Sequence, residues 1–415
     1  MADVIPPDGR SSKAGGPGGR PNRRSGRKPT APRPKTGNSP NGGPNFGKPG
    51  SGTAVKPPLR EVSAPLAPQP RFNARANPRQ AYAAIDLGTN NCRLLIARPS
   101  DENFVVIDAF SRVVRLGEGL AQSGQLSQAA MDRAVGALRI CADKLKKRNV
   151  HLARSVATEA CRRAANGSDF IARVREETGI VLDIISAEEE ARLAVLGCHI
   201  LLEDGHGPAV IFDIGGGSTE LVLIEQGNHP IPRILDWQSV PWGVVSLSET
   251  VGDEGEDESA RLARYARMKQ LVRDSFAGFA ERLEGHHTPD LRLLGTSGTV
   301  TTLASLHLGL LQYDRSAIDG LIVPADAMRT ISHKLSAMGP DERRQLNCIG
   351  TERADLVVAG CAILEAILDI WPAIRLGVAD RGIREGILRS LMTADVAGAA
   401  AAATVVGKRG QAARR

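Results

Sequence analysis

Two aspartates, Asp86 and Asp213, each close an apolar run, and each is followed by one apolar residue, a glycine and small polar residues. The first continues as Asp86-Leu87-Gly88-Thr89-Asn90-Asn91 and the second as Asp213-Ile214-Gly215-Gly216-Gly217-Ser218-Thr219-Glu220. Glycine tolerates the dihedral angles that turn successive backbone N–H groups into one concavity, and it lacks a Cβ that would block an approaching ligand. Such a concavity suits phosphate oxygens. A single glycine turn more often serves tight strand geometry than ligand binding. Two matched turns, each behind an acidic residue, point together to phosphate chemistry. The carboxylates supply hard oxygen ligands, direct or through water, for Mg²⁺ or another divalent cation.

The elements that must position these turns follow from hydropathy. Ala81 to Asp86 and Cys92 to Ala97 are strand-like and flank the first turn, which makes a hairpin. Ala209 to Ile224 repeats that form around the second turn, with the two aspartates 127 positions apart, a spacing that suits one domain each and an ancient duplication. Ser127 to Asn149 carries apolar residues at helical spacing with Ser127 placed to cap it, and Ser168 to Thr178 and Glu188 to Leu202 read as further helices around a short strand at Val181 to Ile185. A third glycine turn, Leu294 to Thr299, opens a helix through Leu308, and Gly377 to Gly386 leads into a helix ending near Met392. Alternating strands and helices predict an α/β fold.

The 415 residues exceed what one compact domain usually holds. The overall charge of +7 is unevenly spread: residues 1–80 hold 15 Lys/Arg against Asp3, Asp8 and Glu61, so the rest of the chain is mildly acidic. Residues 1–78 also hold 16 of the 25 prolines and 12 of the 44 glycines, which predicts a disordered basic tail able to touch polyanions nonspecifically. Residues 394–415 read as an Ala-rich basic tail. Aromatic residues are only 3% of the chain, which argues against a base-stacking platform. Six scattered cysteines without a C-x-x-C pair read as buried free thiols, and the absence of an apolar run of about 18 residues or a leader-like N-terminus reads as a cytoplasmic protein without a transmembrane segment.

The two turns resemble the phosphate loops of the actin, sugar-kinase and heat-shock ATPase superfold. Three further segments are similar to the exopolyphosphatase and guanosine pentaphosphate phosphatase (Ppx/GppA) family: Ala157-Thr158-Glu159-Ala160-Cys161-Arg162-Arg163-Ala164, Ile185-Ser186-Ala187-Glu188-Glu189-Glu190-Ala191-Arg192 and Asp380-Arg381-Gly382-Ile383-Arg384-Glu385-Gly386. The resemblance runs in family order from about Ala81 to Met392. It implies a two-lobed, ribonuclease H-like duplicated α/β fold with an interlobe cleft, its lobes at 79–203 and 204–393. It further implies hydrolysis of the terminal phosphate of inorganic polyphosphate, the 5′-γ phosphate of guanosine pentaphosphate, or both.

Carried over by position, the family's catalytic glutamate falls on Glu190, which would orient or deprotonate the attacking water, and its phosphate-binding arginine falls on Arg162. Asp213, at an acidic position of the second loop, would be catalytic with them. Gly88, Thr89, Asn90, Gly215, Gly216, Gly217, Ser218 and Thr219 would hold phosphates, and Asp86, Asp213 and Glu220 would hold Mg²⁺. Without the resemblance, Glu188, Glu189 and Glu190 read as a solvated helix face, and Arg163 as a surface charge. The chain departs from the family at Ala187, where glycine is common, and at Thr89 and Asn91, where serine is frequent. Longer members add a C-terminal helical region with a His-Asp pair; the eight histidines here, including His286 and His287, form no such cluster, so the chain resembles the short two-domain members. A kinase of the same superfold and a noncatalytic polyphosphate or alarmone sensor are the rival expectations. A helix such as Met131 to Leu145 serves equally within a lobe or across a homodimer.

Overall fold

Apolar runs interrupted only by Asp86 and Asp213, at Ala81–Leu87 and Pro208–Ile214, make strands covered on both faces, and each becomes the centre of a sheet. The computed structural model describes residues 79–395 apart from 101–102, 206, 228–230, 253–256, 287–290 and 351–352. The basic segment 1–78, the end from 396 and His287 lie outside the described residues.

The first sheet contains β1 (Ala81–Leu87), β2 (Asn91–Pro99), β3 (Phe104–Val113), β4 (Val150–Ala157) and β5 (Leu182–Ile184) in the order β3-β2-β1-β4-β5. The second contains β6 (Pro208–Ile214), β7 (Thr219–Glu225), β8 (Arg233–Val240), β9 (Arg292–Thr296), β10 (Ile322–Pro324) and β11 (Arg375–Ala379) in the order β10-β11-β9-β6-β7-β8. In both sheets the first three strands form an antiparallel meander, and later strands add in parallel on the far side of the first. The second sheet differs by the antiparallel β10 at its edge. The expected α/β fold of two related lobes is thus present, with the hairpins β1–β2 and β6–β7 occupying equivalent places.

Helix Gln128–Lys147 starts where its sequence places it, with Ser127 Oγ accepting from the Ala130 N–H at 3.2 Å. It covers one face of the first sheet, against Ala83, Ile85 and Leu87. The alternate residues Tyr82 and Ala84 face the other way. There they meet helix Ala187–Cys198 and a final helix over 383–395 through Leu193, Ala194, Ile383, Ile387, Leu388 and Met392. Residues 383–393, expected within the second lobe, therefore share a core with the first. The stripe Ile383, Ile387, Leu388 and Met392 has an apolar sheet face to cover there. Helix Ala187–Cys198 is wedged between the sheets, because Ala191, Val195 and Cys198 pack on β6, β7 and β9 while Leu193 and Ala194 pack on β1 and β2.

The largest core lies under the second sheet, where Glu258–Leu283 and Val357–Ile370 cross. All six cysteines are free thiols, five of them buried. No helix among the described residues is long and apolar enough to cross a membrane.

Candidate active site

The two glycine turns have the same internal geometry. Gly88 N–H donates to the Asn91 carbonyl and Gly215 N–H to the Ser218 carbonyl, both at 2.9 Å. Each turn ends a central strand, so each delivers its preceding aspartate to the interlobe cleft. The hairpin registers then decide what stands opposite: Arg93 faces Asp86 across β1–β2, whereas Glu220 faces Asp213 across β6–β7. The turns also approach one another closely. A side chain at Gly217 would collide with Glu159 and Thr89, and one at Gly216 would stand 3.0 Å from the Asn90 nitrogen.

Between the turns lies a small cavity of about 130 Å³ whose lining includes Asp86, Glu190, Asp213 and Glu220. Glu190 reaches it because Ser186 caps helix Ala187–Cys198, with its Oγ accepting from the Glu189 N–H at 3.1 Å, which fixes the helix phase. That phase separates the three glutamates. Glu188 is exposed, Glu189 pairs with Arg154 and Arg192, and Glu190, on the face shared with Ala194 and Cys198, is only 7% exposed. Burial, followed by the charges of Glu220 and Asp86, raises the proton affinity of Glu190 well above the ordinary range, while Arg162 opposes the shift. Asp213 is pushed up to about 8, by burial first and then by Glu220 and Asp86, against the pull of Arg93 and Arg384. Burial likewise raises Asp86 and Glu220; Arg93 and Arg384 oppose the first, and hydrogen bonds from Ser218 and Ser239 the second.

Of the residues singled out in the sequence, Gly88, Thr89, Asn90, Gly215, Gly216, Gly217 and Ser218 all line this cavity. Thr219 does not: its hydroxyl donates to the Trp242 carbonyl at 2.6 Å, holding the following loop. Arg162 also lies outside the lining. Its Nη1 donates to Glu190 Oε2 at 3.1 Å and to the Ile185 carbonyl at 2.8 Å, so it faces the cavity's far wall. Arg163 is half-exposed and pairs with Glu159 at 3.5 Å.

Several site residues were assigned no role from the sequence, although Glu159 and Arg384 stand within the family-like segments. Glu159 is buried in the lining and accepts from Thr89 Oγ1 at 3.2 Å. Arg93 and Arg353 line the cavity as well, and with Arg384 they continue into a second cavity of about 660 Å³. Arg93 was recoverable from the hairpin, since it is the residue opposite Asp86. Arg353 comes from a distant segment with no local motif. A third cavity of about 610 Å³ opens on the other side, beyond Glu159 and Ser218, and Arg162 lines it.

Among the described residues no three His, Cys, Asp or Glu side chains converge to hold a metal ion by themselves. Mg²⁺ does not require such a cage, because it keeps several waters and takes one or two carboxylates together with substrate phosphates. Buried carboxylates that raise one another's proton affinity, beside the buried and unpartnered Asn90 Oδ1, fit a hydrated cation of this kind.

The family model for the Ppx/GppA phosphatases matches residues 95–395. Exopolyphosphatase 2 of Mycobacterium tuberculosis is 31% identical over 74% of this chain and 98% of its own length. The guanosine-5′-triphosphate,3′-diphosphate pyrophosphatase of Aeromonas salmonicida is 30% identical over 75% of this chain, which spans 59% of that protein's length. Among solved structures, the Ppx/GppA family member of Aquifex aeolicus superposes with a TM-score of 0.62 at 28% identity, covering 76% of this chain and 98% of that one. An exopolyphosphatase from Cytophaga hutchinsonii superposes with a TM-score of 0.65 at 25% identity over 75% and 98% of the two chains. The chain is a hydrolase and belongs to the Ppx/GppA phosphatase family.

Proposed function

We propose that the protein removes terminal phosphate from inorganic polyphosphate, from the 5′ end of guanosine pentaphosphate, or from both. The carrying observation is the position of Glu190: a buried carboxylate of raised proton affinity, in the cavity between two glycine turns and braced by Arg162. A general base is most effective when its pKa is lifted towards the working pH.

In this reading the terminal phosphoryl group sits between the Gly88–Asn90 and Gly215–Ser218 turns. The rest of the anion extends along Arg93, Arg353 and Arg384, which have no carboxylate at ion-pair distance among the described residues. Glu190 orients a water for in-line attack and accepts its proton as the bond from phosphorus to the bridging oxygen breaks. Arg162 holds Glu190 in place. Asp86, Asp213 and Glu220 would hold Mg²⁺, which when bound spreads the charge of the phosphate oxygens. Positioning and charge stabilisation supply most of the rate in this reaction class.

The test is phosphate release with Mg²⁺ from long-chain polyphosphate and guanosine pentaphosphate in parallel, with Glu190→Ala as control. Release lost in the variant supports the hydrolase. Tight binding without release by a folded wild-type protein would move the assignment to a sensor, and transfer of phosphate from ATP to a metabolite would move it to a kinase.

A further inference from the structure

The central cavity opens on two sides of different character. The 660 Å³ cavity holds Arg93, Arg353 and Arg384, three guanidiniums suited to a polyanion. The 610 Å³ cavity on the other side holds Arg162 and Arg282 beside Trp237 and Pro241. Every nitrogen of Arg282 already donates, to Asp236, the Gly278 carbonyl and Gln238. Arg162 uses only Nη1, for Glu190 and the Ile185 carbonyl, and so keeps Nε and Nη2 as donors beside this second opening. The Arg162–Glu190 pair and the residues Glu159 and Ser218 together form the partition between the two spaces, since Glu159 and Ser218 line both, Glu190 the central cavity and Arg162 the outer one.

We infer that the cavity beyond the Arg162–Glu190 pair is an orthophosphate site through which the product leaves while the shortened chain stays bound. The inference rests on the hydrolase reading above. In-line displacement puts the attacking water and the departing group on opposite sides of phosphorus. The chain lies on the three-arginine side, so water attacks from the Glu190 side. The new P–O bond forms there, the old bridging bond breaks with its electron pair remaining on the chain, and the water's proton passes to Glu190. The tetrahedral product is then confined between the chain and the partition. One arginine with two uncommitted nitrogens, Nε and Nη2, matches a single small oxyanion.

The wild-type protein gives the first test, with inorganic phosphate as the probe. A separate exit predicts noncompetitive inhibition by orthophosphate against polyphosphate, because both are bound at once; competitive inhibition overturns the inference. The second test fills the opening from either wall, with Ala187→Trp or Pro241→Trp. The expected result is a steady-state rate reduced about tenfold with a single-turnover cleavage rate within twofold of wild type. Equal loss in both regimes, or no change in either, also overturns it. A wild-type protein that releases no phosphate from either substrate instead refutes the hydrolase reading, so the two failures are distinguishable.

Discussion

The Arg162 guanidinium and the Glu190 carboxylate stand 3.1 Å apart, joined through one nitrogen that also holds the Ile185 carbonyl at 2.8 Å. The arginine therefore holds the Glu190 carboxylate from outside the central cavity. Its charge also pulls the Glu190 proton affinity down against the burial that raises it. In Arg162→Ala that pull is lost, so the acid limb of the kcat/KM profile moves to higher pH, and kcat falls on the order of 10²-fold. A pH–rate profile of the two proteins checks this; an unmoved limb would refute the coupling.

Glu190→Gln keeps the size and, in the proposed mechanism, loses the base. General-base catalysis contributes about 10²–10⁴-fold, so kcat should fall by that order while KM for polyphosphate stays within a few-fold. Circular dichroism and the melting temperature should match wild type, and a large rise in KM with kcat retained would reassign Glu190 to binding.

Removing divalent cations should abolish phosphate release, and adding Mg²⁺ should restore it. The same addition should raise the melting temperature, because a cation relieves the mutual repulsion of Asp86, Glu190, Asp213 and Glu220 and ligands of the native state stabilise it. Thermal melts with chelator and with Mg²⁺ read the effect directly; full activity in chelator would remove the metal from the scheme.

Gly386 and Gly136 should respond to alanine in opposite directions. A side chain at Gly386 would meet the Leu193 backbone, one turn beyond Glu190, so Gly386→Ala should cost about 1–3 kcal/mol and lower kcat with it. A side chain at Gly136 has open space within helix Gln128–Lys147, so Gly136→Ala should add about 0.5–1 kcal/mol. Urea titrations of both variants test the contrast.

Asp108 on β3 binds Lys144 and Arg148 at the end of helix Gln128–Lys147, and their hydrogen bonds lower its pKa to about 2. A carboxylate held below its unfolded value contributes stability above that value and loses it as pH falls through the folded one. Because both cations are partly solvated, the contribution is about 0.5–1 kcal/mol. Asp108→Asn should lower the melting temperature at pH 7, with the difference shrinking between about pH 4 and pH 2. A constant difference across that range would exclude the carboxylate charge as its source.

Where a local pattern specifies an element, the sequence already contained it: Ser127 and its helix, both Asp–x–Gly hairpins and the turn before helix Gly298–His307 form as expected. Helix Val357–Ile370 was not anticipated, because it is apolar on nearly every face and has no stripe to reveal its period. Helix Glu258–Leu283 does carry a stripe, Tyr265, Met268, Val272, Phe276, Phe279 and Leu283, that spacing alone can identify. At the site, Asp86 and Asp213 were legible as strand ends behind glycine turns. Which of three successive glutamates is buried depended on the phase set by Ser186 and on the packing of a whole helix, and neither the placement of Arg353 nor the diversion of Thr219 to Trp242 follows from short-range order.

The final helix, by returning to the first sheet, makes the polypeptide pass between the two lobes twice, once after helix Ala187–Cys198 and again between β11 and residue 383. Two connecting strands of chain act as a pair of pins: they resist twisting and sliding, and leave a swing about the line joining them as the easy motion. At the second pin the backbones of Gly197 and Gly382 touch so closely that no side chain fits between them. An opening of the cleft would therefore turn about an axis set by covalent connectivity, beside the helix that carries Glu190.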